Sequence, residues 1–303
     1  MTTEEKKWES RVFQLPTDPE ELAEGIIVNF GPRYLGERVL REDMFAELGG
    51  PKSCGFDLLV TESDPSKVTD GKVTLIGPDI PDMEEGGIYP FVWILRVYGE
   101  NLTERHTSLL ERNLIEFQDQ VEGYMRVNTR QYLWTRVTKK CVQGGFTVAE
   151  LARGTMMMMK AALPDLVDAI EAEFHTCDPE AIEDLIENYA MPIWDKRDRY
   201  IGERKDDDVE HFFGCTLCQT FAFNHVCVIA PERPPFCGIT MYDDAEIIIE
   251  MDPHGYLHKF QKGEVIDELQ GEYEGINNCV QQKSNDTIKR LNLYSTISYP
   301  QTS

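Results

Sequence analysis

The chain has 303 residues, 41% of them hydrophobic, which suffices for one or two domains that each bury a core. Its 54 acidic and 30 basic residues give a formal net charge of −24, which would repel phosphate backbones and anionic lipids and so argues against nucleic acid and membrane as partners. No apolar run approaches the roughly 18 residues of a membrane span and no leader pattern opens the sequence, so we expect a cytoplasmic protein whose acidity serves solubility or the docking of a basic partner.

Strand patterns dominate the first hundred residues. Apolar runs bounded by Gly, Pro or Asp predict strands at 57–61 (DLLVT), 72–76 (KVTLI) and 89–98 (YPFVWILRVY), the last apolar enough to be central. A helical pattern covers 103–125. A capping box at Thr147 and Glu150 then opens a helix expected to continue towards residue 174, with the methionines of 156–159 in its core face.

Helical and strand patterns alternate in the rest of the chain. Asp178 and Pro179 start a helix that Pro192 is expected to interrupt. The acidic stretch 204–210 (RKDDDVE) predicts a solvated connection, and residues 245–260 predict a hairpin. Strands mixed with helices predict an α+β (mixed α/β) fold.

The expected domain organisation has three parts. Residues 1–20 form an N-terminal tail or linker, residues 21–188 a middle α/β domain, and residues 189–303 a domain that carries the clustered cysteines.

Half of the eight cysteines fall in one short segment. They are Cys215, Cys218, Cys227 and Cys237, in the pattern C-x2-C-x8-C-x9-C. In a reducing cytoplasm such clustering indicates a metal rather than disulfides. Structural zinc usually takes two C-x2-4-C pairs, so the single pair favours a 4Fe-4S cluster, with zinc or no metal as the open alternatives.

Other residues complete this segment. Its expected apolar surround consists of Phe212, Phe213, Phe221, Phe223, Val226, Val228 and Phe236. His225 is interpreted as a hydrogen-bonded loop residue, because four thiols already suffice as ligands. The remaining cysteines, Cys54, Cys141, Cys177 and Cys279, are isolated and interpreted as buried or incidental thiols.

The segment GCTLCQTFAFNHVCVIAPERPPFCG resembles the A-cluster segment of acetyl-CoA synthase, the carbon monoxide dehydrogenase-linked enzyme of anaerobic carbon fixation and of methanogens. Its three cysteine intervals and the words QTF, NHVC and PERP all resemble that family. So do GERVLREDMFAELGGPKSCGFDL, KVTLIGPDIPDMEEGGIYP and the closing LYSTISYPQTS, so the resemblance covers nearly the whole chain.

The resemblance implies a metal centre. Cys215, Cys218, Cys227 and Cys237 would hold a 4Fe-4S cluster, Cys218 would also bridge it to a proximal nickel, and Phe221 would lie over that nickel. In the family, carbon monoxide and a methyl group from a corrinoid iron–sulfur protein combine with coenzyme A. The implied partners are therefore a carbon monoxide dehydrogenase subunit, the corrinoid protein and coenzyme A as substrate.

A second stretch, YMRVNTRQYLWTR, resembles the family's coenzyme A-binding region. Guanidinium groups can clamp phosphates and indole can stack on adenine, which suits Arg126, Arg130, Trp134 and Arg136. An amphipathic segment with surface charge explains the same residues equally well.

The sequence also departs from the family. There the segment resembling SYPQTS continues into Cys-Gly-Cys, which holds a distal nickel, whereas these 303 residues contain no Cys-x-Cys. We therefore expect no acetyl-CoA synthase activity from these residues alone, and the alternative is a non-catalytic iron–sulfur or zinc module. The amino end resembles the shorter archaeal arrangement, without the docking domain of the longer bacterial forms.

Overall fold

The computed structural model describes residues 9–29, 43–128, 130–235, 237 and 240–294. The chain forms two compact units, Met1–Ile193 and Trp194–Ser303, called here the first and second units. Strands and helices alternate in both, which confirms the α+β fold. Among the described residues, no helix has the length and apolar character needed to cross a membrane.

The first unit contains nine strands and five α-helices within the described residues. The strands are β1 (Ser10–Gln14), β2 (Met44–Gly49), β3 (Gly55–Glu62), β4 (Lys72–Ile76), β5 (Gly87–Tyr89), β6 (Phe91–Tyr98), β7 (Tyr124–Asn128), β8 (Trp134–Thr138) and β9 (Ala169–His175). The helices are α1 (Pro19–Ala23), α2 (Thr107–Asp119), α3 (Lys139–Gln143), α4 (Val148–Ala162) and α5 (Pro179–Leu185).

The remaining elements are a helix that contains the division between the units, and the elements of the second unit. They are α6 (Met191–Glu203), β10 (His211–Cys215), β11 (Cys227–Ile229), α7 (Tyr242–Met251), β12 (Leu257–Gln261), β13 (Val265–Asp267), β14 (Glu272–Tyr273) and α8 (Glu274–Lys283). The division between the units falls within α6, five residues beyond the expected boundary at residue 188.

Two sheets organise the first unit. The larger has the strand order β1-β4-β9-β6-β3, and the smaller has the order β5-β2-β8-β7. In β6, Trp93 and Leu95 belong to the main core while Val92 and Ile94 are also buried, so both faces of this strand are covered. That double burial explains its unbroken apolar sequence.

Three sequence predictions in the first unit need correction. The strand expected over 89–98 is split at Pro90, which has no N–H to donate, although β6 is an interior strand of its sheet, as expected. The helix opened by Thr147 ends at Ala162, because a proline at 164 follows closely, and the chain then continues into strand β9. Ser10–Gln14, expected in a tail, pairs with β4 as an edge strand.

Proline 192 does not break its helix. Between α5 and α6 the chain makes one π-helical turn, Ile186–Ala190, and α6 starts at Met191. Pro192 therefore follows directly after the π-helical turn, where the ordinary hydrogen-bond spacing of the α-helix is already interrupted, and the helical run continues through it.

The second unit contains one further correction and one prediction that holds in part. Residues 242–251 form helix α7 instead of a hairpin strand, and the Asp244 carboxylate accepts a hydrogen bond from the Met241 N–H at 2.9 Å. The stretch 204–210 is mostly exposed, as expected, but it is anchored at Asp206, which is buried and accepts from the Glu232 N–H at 2.9 Å and the Tyr294 hydroxyl at 3.2 Å.

The sheet of the second unit has the order β11-β10-β12, with β10 antiparallel to both neighbours. Phe212 and Phe213 of β10 are fully buried on opposite faces, where they contact Tyr273 and Tyr242 respectively. This sheet and its core hold the ends of β10 and β11, where the clustered cysteines begin.

Candidate functional site

The first two gathered cysteines are fixed by strand pairing. Cys215 is the last residue of β10 and Cys227 the first of β11, and the two are direct partners in the antiparallel ladder. The intervening residues therefore leave and re-enter the sheet at the same edge. Residues paired across a ladder have Cα atoms about 5 Å apart, so these two thiols start close together.

A tight turn places Cys218 beside them. Residues Leu217–Thr220 form a 3₁₀ helix, and the Cys218 carbonyl accepts hydrogen bonds from the Phe221 N–H at 3.1 Å and the Ala222 N–H at 2.8 Å. The turn keeps the Cys218 thiol near Cys215, the other member of the C-x-x-C pair, whose pKa it raises.

The four clustered thiols influence one another electrostatically. Burial raises the pKa of Cys227 to about 11, and the neighbouring Cys215, Cys218 and Cys237 raise it further in that order. Burial also raises the pKa of Cys215, with the Leu217 N–H opposing it and Cys237 and Cys218 adding to it. Four thiolates so close together need a compensating positive charge, which iron or zinc would supply.

The four cysteines lie near one another, but their side chains are not arranged to share a metal ion. Across the described residues, no three His, Cys, Asp or Glu side chains are arranged to hold a metal ion. All four thiols are free of disulfides, and Cys237 is the exposed member. A set of four free, converging thiols fits the chemistry of a 4Fe-4S cluster, which takes one thiolate per iron.

His225 lies against one of these thiols. Its Nε2 is 3.1 Å from Cys227 Sγ, with the donor decided by the ring tautomer, and its backbone N–H donates to the Ala222 carbonyl at 3.0 Å. The expected hydrogen-bonded loop residue is confirmed. The contact between His225 and Cys227 was not predicted, although His225 precedes this candidate ligand by only two residues.

The expected apolar surround is only partly present. Phe212, Phe213, Val226 and Val228 are buried, and Phe236 lies outside the described residues. Phe221 and Phe223 are 82% and 84% exposed, so in this structure they do not shield the thiols.

The stretch likened to a coenzyme A region contains a buried ion pair. The Arg126 side chain is 2% exposed and donates through Nη2 to the Asp57 carboxylate on β3. Its Nε and Nη1 have no hydrogen-bond partner among the described residues. This placement argues against direct contact between Arg126 and a phosphate.

Asp57 also organises the neighbouring turn. Its carboxylate accepts from the Arg130 N–H, and Arg130 begins a 3₁₀ turn with φ of 53°. Burial raises the pKa of Asp57, while the Arg126 charge opposes that rise. The Arg130 side chain is half-buried, with Nε 3.4 Å from Glu111 Oε1.

Trp134 and Arg136 lie together at the start of β8. The Arg136 guanidinium carbon is 4.9 Å from the centre of the indole ring, and its Nε is 3.3 Å from Glu47 Oε2. Arg136 lines a cavity of about 500 Å³ together with Lys52, Lys139, Glu47 and Glu85. The indole also covers Gly50, where φ is 80° and a Cβ would lie 2.5 Å from the ring.

Comparison with known proteins decides the family. A family model described as "CO dehydrogenase/acetyl-CoA synthase complex beta subunit" matches residues 26–182, and a model of the C-terminal part of the ACS/CODH beta subunit matches residues 194–303. The chain belongs to the CO dehydrogenase/acetyl-CoA synthase beta-subunit family. The resemblance drawn from its cysteine segment is thereby confirmed.

Three archaeal relatives carry the name acetyl-CoA decarbonylase/synthase complex subunit beta. That of Methanopyrus kandleri is 40% identical over 276 residues, covering 91% of this chain and 58% of the relative. That of Archaeoglobus fulgidus is 39% identical, covering 91% and 52%, and that of Methanothermobacter thermautotrophicus is 36% identical, covering 92% and 60%. The chain thus spans little more than half the length of these family members.

Proposed function

We propose that this chain is the cluster-bearing part of an acetyl-CoA decarbonylase/synthase beta subunit, an acyltransferase of anaerobic archaeal-type carbon metabolism. The supporting observation is that Cys215 and Cys227 are ladder partners at one sheet edge, with Cys218 and Cys237 near enough to affect the pKa of Cys227, in a chain of this family. We place the protein in the cytoplasm, with a carbon monoxide dehydrogenase subunit and a corrinoid iron–sulfur protein as partners.

In this proposal Cys215, Cys218, Cys227 and Cys237 would hold a 4Fe-4S cluster, and Cys218 would also serve as a ligand for nickel. The bound metals supply the site at which carbon monoxide, a methyl group and the thiol of coenzyme A are joined into acetyl-CoA. Thiolate ligands suit this chemistry because they are soft donors that stabilise low metal oxidation states.

The surrounding residues orient these ligands and the substrate. His225 fixes the Cys227 sulfur through their 3.1 Å contact. Phe221, exposed in this structure, would limit the space above the nickel.

Coenzyme A would bind at the surface made by Trp134 and Arg136, with Arg130 at its edge. The indole offers a stacking face and the guanidinium a phosphate donor. Arg126 would support this surface from below through Asp57, without touching the substrate.

Anaerobic reconstitution of the 303-residue chain with iron and sulfide tests the metal assignment. We expect about four irons per chain and a brown absorbance. Cys227→Ala should lose both, whereas the matched Cys54→Ala in the first unit should retain them. Full iron content in Cys227→Ala, or zinc as the only bound metal, would contradict the proposal.

Acetyl-CoA synthase activity is tested separately from metal binding. Because these 303 residues lack a Cys-x-Cys pair for a second nickel, we predict no acetyl exchange from them after nickel reconstitution. Robust exchange in that assay would contradict this prediction while leaving the cluster assignment intact.

A further inference from the structure

A second cavity lies on the opposite flank of the cysteine-bearing sheet. It has a volume of about 610 Å³ and lies along β12, which is an edge strand. One wall is a single face of α8, formed by Gly275, Asn278, Cys279 and Gln282 at helical spacing. His258 of β12 forms part of the opposite wall.

Among the described lining residues, Lys283 carries the ammonium group that is not paired with a carboxylate. Burial and then the nearby Lys283 lower the pKa of His258, and Lys283 also opposes the burial that raises the pKa of Cys279 to about 11. Lys283 has no carboxylate partner among the described residues, and no Asp or Glu is among the described lining residues. Lys259, the other cation there, lies 3.4 Å from Glu246.

This local charge is unusual for a chain of net charge −24. At physiological ionic strength charges are screened beyond about 8 Å, so an anion in the cavity responds mainly to the groups that line it. Those groups are two ammonium groups, three side-chain amides and the imidazole of His258. The ammonium and amide groups donate hydrogen bonds to oxygen, and His258, whose Nε2 lies against Thr216, adds a donor when it is protonated. An anion with several oxygens, such as phosphate, can use more of these donors than a carboxylate can.

Both walls are also hydrogen-bonded to the turn that carries Cys218. His258 Nε2 lies 3.1 Å from Thr216 Oγ1. On the other wall, Gln219 Nε2 donates to the Lys283 carbonyl at 2.7 Å and to the His225 carbonyl at 3.1 Å. A displacement of either wall therefore acts directly on the residues that flank Cys218.

We propose that this cavity binds a phosphate group, either free or at the end of a larger metabolite, between Lys283, His258 and the amides of Asn278 and Gln282. Its occupancy is transmitted to the Cys218 turn through Thr216 and Gln219. The phosphate site itself does not depend on the proposed cluster chemistry, since all its residues lie outside the four cysteines.

Calorimetric titration of the full 303-residue chain with inorganic phosphate tests the site. We expect binding in the millimolar range or tighter, weakened at least about tenfold by Lys283→Met and by Asn278→Asp. Asn278 is exposed, and Lys283→Met retains the carbonyl that Gln219 contacts, so both variants should fold. Lys289→Met, an exposed lysine outside the cavity, serves as the matched control and should bind normally.

Two further measurements sharpen the test. Phosphate should raise the pKa of His258 in histidine-labelled NMR spectra, because a bound anion favours the imidazolium. It should also change the alkylation rate of Cys218 in the parent chain and not in Lys283→Met.

Ribose 5-phosphate distinguishes the two sources of the ligand. Tighter binding than inorganic phosphate, with the same dependence on Lys283, supports a phosphate ester, and weaker binding supports the free anion. No phosphate binding at concentrations far above millimolar, or binding unaffected by both cavity variants, overturns the site. An unchanged Cys218 alkylation rate overturns the transmission.

Discussion

At the residue scale, the buried ion pair of Asp57 and Arg126 should contribute to the stability of the first unit. Removing one member of a buried ion pair leaves an uncompensated charge, whereas replacing both by apolar groups is often close to neutral. The pair also holds the Arg130 turn, which precedes the Trp134 surface. Its role is therefore structural support for the proposed coenzyme A region.

Breaking this pair should destabilise the first unit strongly. We expect Arg126→Met to lower the free energy of unfolding by about 3–5 kcal/mol, since the Asp57 carboxylate would remain buried without its partner. The double variant Asp57→Leu/Arg126→Met should be less destabilised than Arg126→Met alone. Urea denaturation of the parent chain and the two variants measures this, and an equal or larger loss in the double variant would contradict it.

The raised pKa of Cys227 predicts a pH dependence for the metal-free chain. Its folded pKa of about 11 lies above the ordinary thiol value of 9.0, so deprotonation is harder in the folded state and the second unit loses stability as pH rises above about 9. In the folded chain, Cys227 alkylation should keep accelerating towards pH 11. In urea it should level off near pH 9, and identical profiles in the two states would contradict the prediction.

At the element scale, β10 and α8 pack closely behind Cys215. A Cβ on Gly214 would lie 2.8 Å from Cys279 Sγ, which is closer than carbon and sulfur can approach. The side chain of Cys279 thus occupies the space that a glycine leaves open. Cys279, interpreted from sequence as a buried or incidental thiol, is buried and packs between the strand and the helix.

This close contact predicts a rescue by a second substitution. Gly214→Ala should destabilise the second unit by roughly 1–3 kcal/mol through overpacking. Gly214→Ala/Cys279→Ala should recover much of that loss, because the sulfur that clashes is absent. Thermal unfolding compares the two variants with Cys279→Ala alone, and equal instability of the single and double glycine variants would refute the contact.

Local patterns predicted some elements and misassigned others for physical reasons. The alternation in 72–76 and the capping residue Thr147 are local signals, and both strand β4 and helix α4 follow them. Helix α7 was missed because a short isoleucine-rich run suits a strand and a buried helix equally. The spacing of the four cysteines predicted that they lie near one another. Arg126 and Asp57 lie 69 residues apart in the sequence, so local patterns could not predict the burial of Arg126.

At the scale of the whole molecule, the two units have separate hydrophobic cores. The first is built on Trp93, Phe174 and their neighbours, and the second on Phe212, Phe213 and Ile276. All four candidate ligands belong to the second unit. Metal binding to a folded site stabilises the structure that presents the ligands, so its effect should be concentrated in that unit.

Hydrogen exchange read by mass spectrometry can test this division directly. After anaerobic iron and sulfide loading, we expect slower exchange in β10, β11 and the turn between them, because four thiolates would join segments that otherwise open separately. Exchange in β3 and β6 should stay unchanged. Cys227→Ala treated in the same way is the control and should show no slowing, whereas equal protection of both units would show that the metal acts on the chain as a single cooperative body.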